Sequence, residues 1–172
     1  LWRNYMTTMR DPLLEIRYTV PEDAHYMRLW LNDPKILRGF PLKTEAEIRD
    51  SVNFWVSFYR CRSSLTAVYN GEVAGVATLI LNPYVKVAHH SLLSIIVGEK
   101  FRNKGVGTAL LNNLLHLGKT QLKLELVYLE VYEGNPAIHL YERFGFVEVG
   151  RQKTFYKDEL GYLAKITMER VL

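Results

Sequence analysis

The sequence predicts a mixed α/β domain, in which one sheet contains antiparallel and parallel strands and carries helices on both faces. Two observations support this fold class. A hairpin signal lies in the first half of the 172-residue chain, and helical segments alternate with strands in the second half. The predicted order of elements is β-α-α-β-β-β-α-β-α-β-β. Apolar residue types make up 48% of the chain, which is enough for a core that needs neither disulfides nor metals.

The first three elements are a short strand over residues 15–19 and two helices. The first helix is indicated by apolar residues at helical spacing, which are Ala24, Met27 and Leu31. The Asp33-Pro34 pair ends it, because a residue before proline avoids the helical conformation. Thr44 followed three residues later by Glu47 has the pattern of a capping box, so we expect the second helix to begin there.

The middle of the chain predicts a hairpin and a central strand. Residues 64–69 and 73–81 have the composition of strands, and Asn70-Gly71 between them favours a two-residue hairpin turn. Residues 91–97 form a nearly continuous apolar run. Such a run is typical of a strand that is covered on both faces of the sheet.

The second half alternates helices with strands before it ends in two strands. Residues 105–118 predict a helix with a broad apolar face, and residues 125–132 predict a strand. A short helix over residues 136–144 and strands over 146–151 and 162–170 complete the order.

Composition and charge limit the classes of protein to which the chain can belong. We assign residues 15–172 to one domain and residues 1–14 to an N-terminal extension. The formal net charge is +4, but the basic residues are scattered, so we expect no nucleic-acid partner. Cys61 is the single cysteine, and no apolar run is long enough to cross a membrane. These features predict a cytoplasmic protein that is a monomer or a homodimer and has no membrane partner.

The most informative segment, residues 102–108, follows the predicted central strand and contains Gly105 and Gly107. Amides at a helix N-terminus lack intrahelical partners and lie at the positive end of the helix dipole. Glycines allow a ligand to approach the backbone closely, so the segment predicts a phosphate-binding loop. No Gly-Lys-Ser/Thr follows, and Leu110 stands where a dinucleotide fingerprint needs its third glycine. Kinase and dehydrogenase functions are therefore disfavoured.

Two motifs together resemble a known superfamily. Arg102-x-x-Gly105-x-Gly107 resembles the Gln/Arg-x-x-Gly-x-Gly/Ala signature of the GNAT N-acetyltransferases. The segment from Asn135 to Phe146 resembles their second signature, Asn-x-x-Ala-Ile-x-Leu-Tyr-x-x-x-Gly-Phe. The C-terminal third is most similar to the bacterial branch near the ribosomal-protein alanine acetyltransferases. The resemblance implies a GNAT fold whose central strands splay apart to hold acetyl-CoA.

The resemblance also implies roles for individual residues. Amides of the loop would bind the pyrophosphate, residues 95–97 would pair with the pantetheine arm, and an amide near Val97 would polarise the thioester carbonyl. Asn135 would hydrogen-bond the arm, and Tyr141 would protonate the leaving thiolate. The implied cofactor-binding residues are Ile95, Ile96, Val97, Arg102, Asn103, Lys104, Gly105, Val106, Gly107, Thr108, Asn135 and Tyr141. The loop before Ala137 is one residue shorter than in the signature, so Gly134 could take the place of the asparagine.

Transfer to an amine needs a neutral nitrogen, so a base must remove its proton. Two residues are candidates for this base. Glu130 shares a predicted strand face with Tyr128 and Tyr132. It also matches the base of the ribosomal-protein alanine acetyltransferases, five residues before Asn135. Glu99 is the second candidate, and a chain of water molecules is a third possibility.

The expected function is N-acetyl transfer from acetyl-CoA directly to a primary amine. The acceptor stays open between a protein N-terminus, a lysine and a small amine. A non-catalytic acyl-CoA-binding sensor or regulatory module is the alternative. Residues 38–42 and the predicted hairpin at 158–161 are expected to shape the acceptor pocket. The histidines have no metal-ligand spacing, so no metal is expected.

Overall fold

The computed structural model describes residues 13–172 as one mixed sheet with five α-helices. The strands are β1 Leu14–Tyr18, β2 Ser64–Tyr69, β3 Glu72–Leu81, β4 His90–Val97, β5 Leu126–Tyr132, β6 Val147–Asp158 and β7 Gly161–Val171. The helices are α1 Ala24–Leu31, α2 Pro34–Leu37, α3 Glu45–Ser57, α4 Val106–Thr120 and α5 Ala137–Arg143. Within this part of the chain, no helix is long and apolar enough to cross a membrane.

The seven strands lie in the order β1-β2-β3-β4-β5-β7-β6. Strands β4 and β5 are parallel, and the other neighbours in the described sheet are antiparallel. The predicted mixed sheet and the predicted succession of seven strands along the chain are therefore confirmed. The predicted N-terminal extension, residues 1–14, lies outside the described residues except for Leu13 and Leu14. Leu14 is the first residue of β1.

Two separate cores place helices on both faces of the sheet, as predicted. The larger core contains α4 with Leu110, Leu111 and Leu114, and α5 packs against its edge. The smaller core joins α1 and α3 through buried residues such as Met27 and Val52. Neighbouring side chains on β4 point alternately to the two cores.

The local signals in the first half formed the predicted structures. Thr44 Oγ1 accepts from the Glu47 amide at 3.2 Å, and Glu47 Oε2 accepts from the Thr44 amide at 2.8 Å, which completes the capping box of α3. Asn70 and Gly71 have φ values of 50° and 81°, as a hairpin turn with two left-handed residues requires. The expected helix and hairpin boundaries are thus confirmed within one residue.

Two elements differ from the prediction. Asp33-Pro34 ends α1 but also begins the short helix α2, because the Asp33 carboxylate accepts from the Lys35 amide at 2.9 Å and proline suits a first helical turn. Strand β6 runs seven residues beyond the predicted end at Arg151. It is an edge strand with no buried side chain and two register irregularities, so its apolar alternation is weak.

A buried polar network fastens β1 to β2 near the beginning of α1. Asp23 accepts from Arg17 at 2.8 Å on each carboxylate oxygen and from the Thr66 hydroxyl at 2.8 Å. Thr19 continues the network to Ser64 at 2.8 Å. These buried polar groups are paired with one another, so their burial does not leave unsatisfied donors or acceptors.

Candidate active site

The two parallel strands at the centre of the sheet stop pairing before they end, and we call the gap between their unpaired parts the cleft. Strands β4 and β5 pair at four positions, from His90 opposite Leu126 to Leu93 opposite Leu129. In the described structure they do not pair beyond that point, although β4 stays paired with β3 and β5 with β7. The edges that face each other therefore carry backbone groups without a strand partner. The predicted splay of the central strands is confirmed.

Residues 95–97 line the β4 side of this cleft. Ile95 and Val97 pack against the larger core, whereas Ile96 belongs to the smaller core between the sheet and α1. The strand is followed by Gly98, where an added Cβ atom would lie 2.7 Å from Trp30 Nε1. Helix α1 thus packs so closely over the end of β4 that a side chain at position 98 does not fit.

The predicted phosphate-binding loop joins β4 to α4 at the open end of the cleft. Asn103 and Gly105 have left-handed backbones with φ of 57° and 79°. Helix α4 begins at Val106, and no side chain in the described structure caps its amides. Most of the loop is exposed, including the side chains of Arg102 and Lys104. The N-terminus of α4 is therefore an open, positively polarised surface that suits an anionic ligand.

Gly107 lies where α4 meets α5. A Cβ atom at this position would come within 3.3 Å of Leu140 Cδ2. The neighbouring Thr108 is exposed on the same first turn. The second glycine of the loop motif thus serves the close packing of the two helices that flank the cleft.

Tyr141 on α5 is buried, with 7% of its surface exposed. Its ring packs edge-on against Phe146 at a centroid distance of 6.1 Å. Burial raises the pKa of the Tyr141 hydroxyl to about 12. The hydroxyl therefore keeps its proton at neutral pH and has the protonation state that a proton donor needs.

Asn135 lies in the short loop between β5 and α5. Its Oδ1 accepts from the Ala137 amide at 2.9 Å, so the side-chain carbonyl helps to begin α5. The side-chain NH₂ group donates no hydrogen bond within residues 13–172 and stays available to a ligand. The preceding Gly134 has a φ of 80°, which explains a glycine at this tight turn.

Glu130 lies on the part of β5 that is not paired with β4. Val131 next to it is buried in the larger core, whereas the Glu130 side chain points to the opposite face and is 41% exposed. Its Oε1 accepts from Lys165 Nζ at 2.8 Å. Burial, followed by the negative charge of Glu130, raises the pKa of Tyr132 to about 12. The same causes, in the same order, raise the pKa of Tyr128.

Glu99, the second base candidate, lies beside the phosphate-binding loop and is held by two cations. Its carboxylate pairs with Arg102 Nη1 at 3.1 Å and with Lys35 Nζ at 3.7 Å. These contacts occupy both of its oxygens. They give Glu99 the role of joining the loop to α2 in this structure.

The segments predicted to shape an acceptor pocket do come together. A small cavity of about 40 Å³ is lined by Arg38 and by five residues of the β6–β7 hairpin, which are Asp158, Leu160, Gly161, Tyr162 and Leu163. Sequence analysis did not find Lys165, which contacts Glu130, or Phe155, whose ring lies 4.2 Å from the Lys165 ammonium. Both contacts depend on the pairing of strands that are separate in the sequence. Residues 13–172 contain no group of three or more His, Cys, Asp or Glu side chains that could hold a metal ion.

Comparison with known proteins agrees with this geometry. An N-alpha-acetyltransferase of Sulfolobus acidocaldarius is 50% identical over 68 residues, which are 39% of this chain and 40% of the relative. The alignment thus spans less than half of that relative.

Solved structures share the fold. A ribosomal-protein-alanine N-acetyltransferase from Brucella melitensis has a TM-score of 0.76 and 24% identity, over 91% of this chain and 99% of the other. A Salmonella typhimurium protein that was solved with its cofactor acetyl-CoA has a TM-score of 0.78 and 16% identity, over 93% and 94% of the two chains. Residues 24–146 match the family model of the acetyltransferase (GNAT) family. The resemblance predicted from the two motifs is therefore confirmed, and the chain belongs to the GNAT acetyltransferase family.

Proposed function

We propose that the chain is an acetyl-CoA-dependent N-acetyltransferase that transfers the acetyl group directly to a primary amine, with residues 15–172 as its catalytic domain. The observation that carries this proposal is the cleft between β4 and β5, which opens beside the uncapped N-terminus of α4. The family match to residues 24–146 supports the same reaction class. We place its activity in the cytoplasm, as a monomer or a homodimer.

The residues around the cleft fit coenzyme A in three ways. The free amides of the first turn of α4, with Arg102 and Lys104, suit a pyrophosphate. The unpaired edge of residues 95–97 suits an extended amide-containing arm, and the free NH₂ group of Asn135 suits one of its carbonyls. When bound, acetyl-CoA supplies the thioester whose acetyl group is transferred.

Two side chains move protons in the proposed reaction. Glu130 accepts a proton from the acceptor ammonium, which makes the nitrogen nucleophilic. An amide near Val97 stabilises the oxyanion that forms when the amine attacks the carbonyl carbon. Collapse of this intermediate breaks the C–S bond, and Tyr141, whose pKa burial raises to about 12, donates its proton to the departing thiolate. The acylated nitrogen loses its second proton to solvent as the amide forms, and the Tyr141 phenolate regains a proton from solvent. Glu99 is the weaker candidate for the base, since it lies beside the phosphate-binding loop, where it pairs with Arg102 and Lys35.

For the acceptor we propose the α-amino group of a protein N-terminus. The support is the name of the Sulfolobus acidocaldarius relative, an N-alpha-acetyltransferase that is 50% identical over the aligned residues.

The test combines binding and turnover. We expect acetyl-CoA to bind the protein by calorimetry, and we expect thiol release in the presence of short peptides with a free N-terminus but not with their N-acetylated forms. Binding without turnover on peptides, lysine or polyamines would instead support a non-catalytic sensor module. Absence of binding at millimolar acetyl-CoA would refute both functions.

A further inference from the structure

The ammonium group of Lys165 occupies a built site next to Glu130. Lys165 Nζ donates to Glu130 Oε1 at 2.8 Å and lies 4.2 Å from the centroid of the Phe155 ring. The Lys165 side chain is only 18% exposed, although it carries a charge. A carboxylate on one side and an aromatic face on the other are the two kinds of group that bind an ammonium ion most effectively.

The sheet register creates this site. Glu130 stands opposite Thr167 and Tyr132 stands opposite Lys165, so Lys165 is a diagonal neighbour of Glu130 on the same face. On the other side of β7, the register of β6 shifts between Gln152 and Tyr156. The extra residues of this irregularity include Phe155, whose ring lies over the Lys165 ammonium.

Further aromatic rings extend the site. Tyr132 packs against Phe155 at 6.1 Å and against Tyr156 at 5.3 Å between ring centroids. The group lies on the sheet face away from α4, opposite the side on which the α4 N-terminus and Tyr141 flank the cleft. It therefore borders the cleft from the side that an acceptor would use if the cofactor enters beside α4.

We propose that this ammonium site, formed by Glu130, Phe155 and Tyr132, binds the acceptor amine, and that Lys165 occupies it in the free protein. The proposal rests on the proposed function, in which Glu130 deprotonates the acceptor. The acceptor ammonium displaces Lys165 from the carboxylate before it loses its proton. Lys165 thus acts as an intramolecular competitor that raises the KM for the acceptor.

A consequence concerns the class of acceptor. The displaced Lys165 keeps its charge and stays within reach of the site, because its backbone is held between β5 and β6. A second positive charge close to the acceptor amine is therefore repelled, whereas a neutral or acidic neighbour is tolerated. The preferred acceptors are primary amines without an adjacent cation.

The test is steady-state kinetics of Lys165→Met with two peptides that carry Glu or Lys directly after the N-terminal residue. We expect the KM for both peptides to fall about fivefold, with the larger fall for the Lys peptide, and kcat to change less. Lys165→Arg, which keeps the charge and the ion pair, is the matched control and should keep the native KM. Lys165→Gln serves as a second neutral variant if Lys165→Met does not fold.

The outcomes separate the two proposals. An unchanged or higher KM in the neutral variants, with acetyl-CoA binding and turnover retained, would refute the competitor role and leave the proposed function intact. A native protein that neither binds acetyl-CoA nor acetylates either peptide would refute the proposed function itself. A lower KM in both neutral variants, together with a native KM in Lys165→Arg, would establish Lys165 as the competitor.

Discussion

The two sides of the cleft are built in different ways. The cofactor side consists of a strand edge, a left-handed turn and the first turn of α4, and it exposes backbone amides from one continuous segment. The proposed acceptor side consists of side chains from β5, β6 and β7, and Glu130 contacts Lys165 across 35 positions of sequence. Backbone groups suit the features that every coenzyme A molecule shares, whereas side chains on separate strands are free to vary with the proposed acceptor.

We therefore expect specificity for the acceptor to depend on the side chains of β5, β6 and β7. The cofactor side depends on glycine conformations and on the helix terminus, so few substitutions preserve it. The proposed acceptor side depends on the Glu130–Lys165 ion pair, aromatic contacts and an irregular edge strand. Single substitutions there should change KM without destroying the fold. Substitutions on the cofactor side should instead weaken acetyl-CoA binding.

Removal of the Tyr141 hydroxyl should give the largest loss of turnover. We expect Tyr141→Phe to lower kcat by about 10²- to 10⁴-fold, because the thiolate would leave without a positioned proton donor. The dissociation constant of acetyl-CoA should stay near the native value, since the ring remains packed against Phe146. The measurement is thiol release at saturating substrates, with the exposed Tyr84→Phe as a control. Native turnover in Tyr141→Phe would remove Tyr141 from the acid role.

Substitutions of Glu130 and of Glu99 should change kcat by very different amounts. We expect Glu130→Gln to lower kcat by about 10²-fold at neutral pH, because the acceptor ammonium would lose its base. Glu99→Gln should change kcat by less than about threefold, since Glu99 is engaged with Arg102 and Lys35. Parallel pH–rate profiles of the two variants provide the measurement. The reverse order of effects would assign the base role to Glu99.

Much of the fold could be predicted because its signals are local. The capping box at Thr44 and the Asn70-Gly71 turn depend on residues within four positions of each other, and both formed as predicted. The same reason explains the success with the β4–α4 loop, whose glycines and following helix are contiguous. Interactions between residues that are close in the sequence can be predicted without knowing which strands pair in the sheet.

The acceptor side could be predicted only in part. Alternation along β5 placed Glu130 on the correct face, but its partner Lys165 depends on the register of β7. Phe155 depends on a register shift in β6, and no turn residue in the sequence marks that shift. Pairing between distant strands is decided by the whole sheet, so this ion pair had no local signal.

A glycine substitution can test the backbone character of the cofactor side. Gly105→Val places a β-branched residue at a φ of 79°, which costs roughly 1–2 kcal/mol. We expect acetyl-CoA to bind about tenfold more weakly, because the loop would relax away from its native conformation. Gly161→Val is the control, since Gly161 also has a positive φ, of 121°, and free space but lies in the β6–β7 hairpin at the other end of the sheet. Equal losses of affinity in both variants, measured by calorimetry, would show that the effect is global.

Substitutions in the buried network around Asp23 should have the smallest effect on substrate binding at either side of the cleft. Burial raises the pKa of Asp23, but hydrogen bonds from Arg17, Val20 and Thr66 outweigh it and hold that pKa below its ordinary value. A carboxyl with a lowered folded pKa stabilises the protein above its unfolded pKa, and this stability is lost as the pH falls through the folded pKa. The free energy of unfolding of the native protein should therefore decline below about pH 4.

Asp23→Asn should lower the free energy of unfolding by about 2 kcal/mol at neutral pH, because the Arg17 guanidinium loses its charged partner. It should also flatten the decline in acid, as measured by urea titration at several pH values. Asp50→Asn is the control, since Asp50 is exposed and pairs only with its neighbour Arg49. Both variants should keep the native KM for acetyl-CoA and for the acceptor at a temperature where they are folded. A changed KM in Asp23→Asn alone would show that the network couples to the cleft through α1, whose Trp30 touches the end of β4.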